Sequence, residues 1–150
     1  MDNSLLNLHL SQWANNQKGY FVTLNNIQND KIHFEQNLGK LAHRLNNYCY
    51  GRAYERKEKQ LKIIAGIEVG RINANIHAHL VVTHNADTKR SISDIDCYIR
   101  KEWSTLVGIK NPNGTMIDFQ HIGDIQTRIS YLTKDTNYWL GKDQLNITVL

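Results

Sequence analysis

Seven consecutive residues, Ile76-His77-Ala78-His79-Leu80-Val81-Val82, constrain this chain more tightly than any others. The run reads as a buried strand interrupted by two histidines one residue apart. Side chains in a strand alternate between faces, so His77 and His79 point one way and Ile76, Ala78, Leu80 and Val82 the other. A chain with such a strand needs a sheet with one face sealed on a core and an opposite face that carries imidazoles.

The preceding segment extends this pattern. Lys62 to Val69 reads as a strand, and Gly70 to Asn75 as its connection to the next. If Val69 pairs with Ile76, Glu68 falls opposite His77 and Gly66 opposite His79. Directly opposed residues share a face, with Cβ atoms about 4.5–5.5 Å apart. Two imidazoles and a carboxylate on one side of a hairpin are a candidate divalent-metal site with Glu68, His77 and His79 as ligands. Three protein ligands leave positions for water or substrate, as catalytic sites do. The competing reading is a pair of surface histidines on a solvated face.

The chain of 150 residues is long enough for one domain with a real core. A content of 41% hydrophobic and 21% charged residues is that of a globular protein rather than a disordered one. One proline and no Gly/Ser linker argue for a single domain over 1–150. Lys and Arg number 18 against 14 Asp and Glu, a net charge of +4 that fits an anionic partner such as nucleic acid. Arg52, Arg56, Lys57, Lys59 and Lys62 contribute to it, and fit a solvated loop equally well. Cys49 and Cys97 fall in expected helices without metal spacing, as in a reduced, intracellular protein. Neither a signal peptide nor an apolar run of transmembrane length is legible, so the expectation is a cytoplasmic protein with no membrane partner. The absence of GxxxxGK[ST] argues against a nucleotide-hydrolysing motor.

Residues 20–25 alternate as a strand. Lys31 to Tyr48 is the first expected helix, with Phe34, Leu38, Leu41, Ala42, Leu45 and Cys49 on one stripe. Gly51 to Gln60 reads as a polar loop, and the two hairpin strands follow. A second helix is expected from about Ser93 to Val107, with Ile92, Ile95, Ile99, Trp103 and Leu106 as its stripe and Ser91 or Ser93 as its cap. Asn111-Pro112-Asn113-Gly114 is a turn, and Met116 to Ile122 a fourth strand. A third helix starts near Asp124 and runs to Lys134. Residues 135–150 give no clear pattern. The order fits an α+β fold: a ferredoxin-like or RRM-like split βαββαβ antiparallel sheet with an extra C-terminal helix. The first and third strands would be central, and the histidines would lie on the face away from the two main helices.

On the third helix, Ile125, Ile129 and Leu132 form the apolar stripe. Tyr131 sits roughly 120° from it, and Lys134 about 60° from Tyr131. Tyr131 is therefore available for chemistry as a covalent nucleophile. Its usual pKa near 10 makes it weak at neutral pH unless a cation favours the phenolate. A packing tyrosine with a wet hydroxyl is the plainer alternative.

Three motifs in this order resemble the HUH endonucleases, specifically the single-tyrosine rolling-circle replication initiators of circovirus and plasmid type. Phe21-Val22-Thr23-Leu24-Asn25-Asn26 is similar to their first motif, a strand ending in Thr-x-Asn-Asn. His77-Ala78-His79 is the His-hydrophobic-His motif, with Glu68 in the place of the third ligand. Tyr131-Leu132-Thr133-Lys134 matches the Tyr-x-x-Lys of the nucleophile helix. The resemblance spans about residues 20–135. It implies metal-dependent nicking and joining of single-stranded DNA at a replication origin or hairpin, through a 5′-phosphotyrosine. It also implies Mg²⁺ or Mn²⁺ on Glu68, His77 and His79, Tyr131 as nucleophile and Lys134 as the group that positions or neutralises the phosphate. Thr23, Asn25 and Asn26, with Arg52, Arg56, Lys57 and Arg128, are the expected DNA contacts.

The chain departs from that family in having no helicase domain in these residues, which implies a nuclease-only fragment or recruitment of a host helicase. Tyr138 lacks the lysine partner that Tyr131 has, and His84 has the wrong strand parity to join His77 and His79. A nuclear location would follow if the replicon is a eukaryotic virus. Three alternatives remain: a single-strand transposase of HUH type, a non-catalytic single-strand binder that stacks bases on Tyr20, Phe21 or Phe119, and a water-using metal hydrolase.

Overall fold

The computed structural model describes residues 19–25, 30–69, 76–84, 88–108, 117–122 and 145–149. The elements are β1 (Gly19–Asn25), α1 (Lys31–Tyr50), α2 (Arg52–Glu55), β2 (Ile63–Val69), β3 (Ile76–Thr83), α3 (Ile92–Val107), β4 (Ile117–Ile122) and β5 (Leu145–Val149). The fold is α+β. Its centre is a three-stranded antiparallel sheet, β1-β3-β2, widened by β4 beside β1 and β5 beside β2 into the order β4-β1-β3-β2-β5.

The hairpin register is the one that the alternation predicts. Val69 pairs with Ile76, Glu68 with His77 and Gly66 with His79. A one-residue slip would send every side chain of a strand to the wrong face, so burial of one face selects this pairing. The helix-facing set is Tyr20, Val22 and Leu24 on β1, Ile63, Ala65 and Ile67 on β2, and Ile76, Ala78, Leu80 and Val82 on β3. These pack with the stripe Phe34, Leu38, Leu41, Ala42, Leu45 and Cys49 of α1 and with Ile95, Ile99 and Trp103 of α3.

Both long helices are closed by local chemistry. The Asp30 carboxylate accepts from the His33 N–H at 3.1 Å, and Ser91 Oγ accepts from the Asp94 N–H at 3.1 Å. Gly51 ends α1 at φ +53° and Gly108 ends α3 at φ +79°, conformations that favour glycine. The helices are held together by Arg44 and Glu102 (2.8 Å) and by Tyr98 stacked on Tyr48, with centroids 4.1 Å apart. Asn46 links α1 to the start of β2: its Oδ1 accepts from the Leu61 N–H at 2.6 Å while its Nδ2 donates to Ala42 O.

Two expectations need correction, and the tail, which had no expectation, is placed in part. Residues 51–60 are not all loop, because Arg52–Glu55 form a helical turn ended by Lys57 at φ +59°. Helix α1 runs on to Tyr50. The tail contributes a fifth strand, Leu145–Val149, paired with β2 from Ile64↔Val149 to Glu68↔Leu145. Strand β2 is therefore interior. The expected C-terminal helix lies outside the described residues. No helix among the described residues is long and apolar enough to cross a membrane.

Candidate metal-binding face

The side of the sheet away from the helices is divided along the strands. One cross-sheet row contains Gln120, Phe21, Val81, Ile64 and Val149. Phe21, Val81 and Ile64 in it are buried. The next row holds Asp118, Thr23, His79, Gly66 and Ile147, and the one after it Asn25, His77, Glu68 and Leu145. Apart from Gln120 in the first row, the polar residues of these rows stand at one end of the face, and Thr23, Asn25, His77 and His79 there are half-buried.

Thr23 and His79 are direct cross-strand partners, and their side chains bond, Thr23 Oγ1 to His79 Nδ1, at 3.1 Å. Phe21 stacks on the His79 ring with centroids 5.4 Å apart and planes 15° apart. His79 is thus held by a hydrogen bond at one ring nitrogen and by an aromatic face. The His77 and His79 rings lie edge to face, 5.2 Å between centroids. Two imidazoles sharing one ion through bonds of about 2.1 Å have centroids roughly 4.5–6.5 Å apart, so the pair has the spacing that a shared divalent ion requires. Gly66 stands opposite His79 with no side chain of its own to compete for that space.

The helix side secures the end of β1 that carries this patch. Trp103 is fully buried, packs edge-on to Phe34 with centroids 5.5 Å apart, and donates its indole N–H to the carbonyl of Asn25 at 2.9 Å. Asn25 is the cross-strand partner of His77. A core tryptophan therefore fixes the backbone immediately beside the histidines.

Among the described residues, no group of three or more His, Cys, Asp or Glu could hold a metal ion. The side chains of Glu68 and Asp118 lie outside that description, and the two residues are placed by strand register alone, Glu68 opposite His77 and Asp118 opposite Thr23. Asp118 was not anticipated from the sequence. Its signal is the alternation Ile117-Asp118-Phe119, which becomes informative only once β4 is known to pair with β1. Asn26, Arg128, Tyr131 and Lys134 lie outside the described residues. Arg52, Arg56 and Lys57 are exposed around α2, on the helix side, and do not join the histidines. His84 leaves the strand and its Nε2 bonds the Arg90 carbonyl at 3.1 Å.

No family model, no curated protein and no solved structure matches this chain.

Proposed function

We propose that this chain is a metal-dependent endonuclease of HUH type that nicks and rejoins single-stranded DNA, built on a ferredoxin-like split βαββαβ core. The observation that carries this reading is His79 held at Nδ1 by Thr23, with His77 beside it and Glu68 opposite His77 in register. If the Nδ1 proton is the one directed at Thr23 Oγ1, one of the two directions that the contact allows, the imidazole carries its lone pair on Nε2, where a metal ion can bind. In this reading Thr23 is a positioning residue. The central β1 and β3 and the two long helices on one face support the proposed fold.

His77, His79 and Glu68 would hold a Mg²⁺ or Mn²⁺ ion. Bound there, the ion supplies positive charge against the non-bridging oxygens of a scissile phosphate. The Tyr131 phenolate attacks phosphorus, a Tyr–O–P bond forms, the P–O3′ bond breaks, and the departing 3′-oxygen takes up a proton to become a 3′-hydroxyl. Lys134 offsets charge on the phosphate. Attack by a 3′-hydroxyl on the phosphotyrosine reverses the step and joins strands. Initiation of rolling-circle replication at an origin or hairpin, with a host helicase as partner, is the setting in which such chemistry serves. The stacking-platform alternative is disfavoured because Tyr20 and Phe21 are buried, and Phe119, partly buried, is already stacked on Tyr20.

The test is a denaturing gel of protein incubated with Mn²⁺ and a random pool of 3′-labelled single-stranded DNA. A labelled band migrating with the protein, lost in Tyr131→Phe, is expected. Cleaved DNA without that band would replace the reading with a water-using hydrolase.

A further inference from the structure

On the helix side, a cleft of about 570 Å³ opens between the C-terminal end of α1, the turn of α2 and the segment leading into α3. Among the described residues, four cationic side chains line it, Arg52, Arg56, Lys89 and Arg90, and no carboxylate does. Arg52 and Arg56 are separated in sequence from Lys89 and Arg90 by more than thirty residues, so the fold brings two basic segments together. A solvated loop does not require that convergence.

One of the four is built in. Arg90 donates Nε–H to the Tyr48 carbonyl at 3.0 Å, and its guanidinium carbon lies 4.2 Å from the Tyr48 ring centroid. Tyr48 is in turn stacked on Tyr98. The guanidinium is therefore held in place with its terminal nitrogens as the remaining donors, and a pre-organised fork loses little freedom when it binds an oxyanion. Arg56 shares an exposed ion pair with Glu58 at 3.3 Å, a contact too weak in water to withdraw it from an anion.

We propose that this cleft binds phosphodiester groups of a nucleic acid strand, at a place separate from the histidine face. A single small anion needs only two or three of these donors. Beyond the cleft the positive charge continues through Lys57, Lys59 and Lys62, all exposed, as a polyanion would require. The cleft lies at the end of the sheet marked by Tyr20, which has Cys49 and Tyr50 of α1 as neighbours. The polar patch lies at the Asn25 end of the same strand, about 17 Å away at 3.3 Å per residue, and on the other face. The proposal goes beyond the nicking reading and stands without it.

The test is anisotropy of a fluorescein-labelled 30-nucleotide oligothymidylate with the full chain in EDTA, so that no cleavage intervenes. Arg52→Ala/Lys89→Ala removes two exposed cations of the cleft. Lys40→Ala/Lys101→Ala removes the same charge from exposed positions of α1 and α3. The cleft pair is expected to raise Kd about 5–20-fold and to reduce the slope of log Kd against log salt by roughly 1.4, two contacts at about 0.7 each. The helix pair should change Kd less than about twofold, and Arg52→Lys/Lys89→Arg should restore binding. Thermal melts establish that each variant is folded, with Arg52→Gln/Lys89→Gln as the replacement if the alanine pair is not. Equal weakening by both pairs would reduce the cleft to general charge and overturn the proposal. Unchanged DNA affinity, together with calorimetric binding of inorganic phosphate that the cleft pair abolishes, would overturn it in favour of a small phosphate ligand.

Discussion

Alternate residues of β3 meet opposite environments. Ile76, Ala78, Leu80 and Val82 are 0–4% exposed against the helices, while His77 and His79 between them remain half-buried on the other side. The helix-covered face is filled with hydrocarbon, and the Trp103 indole there serves geometry by donating to the Asn25 carbonyl. The opposite face is apolar at one end and polar at the other. On the proposed reading, stability belongs mainly to the first face and chemistry to the polar end of the second. Substitutions on the two faces should separate into those that melt the protein and those that leave it folded but inactive.

The largest separation should come from His79→Ala, which is expected to reduce nicking to background while the melting temperature shifts by only a few degrees. Retained nicking would remove the histidines from the chemistry. Trp103→Ala tests the other side. It should cost about 3–5 kcal/mol in urea unfolding, the range for deleting a fully buried aromatic, and any loss of nicking should follow from unfolding. A folded, stable, inactive Trp103→Ala would mean that the two faces are coupled through Asn25 more tightly than this division allows. Thr23→Val is intermediate. It keeps the shape and removes the bond to His79 Nδ1, and should lower Mn²⁺ affinity about 10–100-fold, as loss of a ligand's hydrogen-bond partner generally does. Unchanged affinity would make Thr23 a packing residue.

The smallest effect concerns alkaline stability. Burial pushes the Cys49 thiol from its ordinary 9.0 up to about 11. The fold thus retains a proton that the unfolded chain has already lost, and stability falls as pH rises from about 9 towards 11, being complete below that window. Burial also raises the Tyr20 hydroxyl above its ordinary 10.0, which adds a further loss that begins near pH 10, where the unfolded chain's tyrosine ionises. Cys49→Ala should reduce the pH dependence of urea unfolding above pH 9, most clearly between 9 and 10, below the range in which Tyr20 contributes.

Much of the fold was legible because it depends on period. The stripe Phe34–Leu38–Leu41–Ala42–Leu45–Cys49 could satisfy only a helix with one buried face, and those six residues are all in the core. The pairing of Glu68 with His77 followed from parity once the hairpin was assumed. β5 was not legible, since a five-residue strand becomes informative only beside the β2 edge that accepts it. Asp118 was missed for the same reason. The α2 turn was hidden by its polar composition, which a loop would share.

The sequence alone determined which faces the side chains of β1, β2 and β3 take, because alternation is a property of the extended backbone and needs no partner. It also determined that His77 and His79 would point the same way. Tertiary structure decided what stands beside them: Thr23 on the ring of His79, the Trp103 indole behind Asn25, and Lys89 with Arg90 against Arg52. Those neighbours are between about 30 and 80 residues apart in the chain, and only the order in which strands and helices close around one core brings them together.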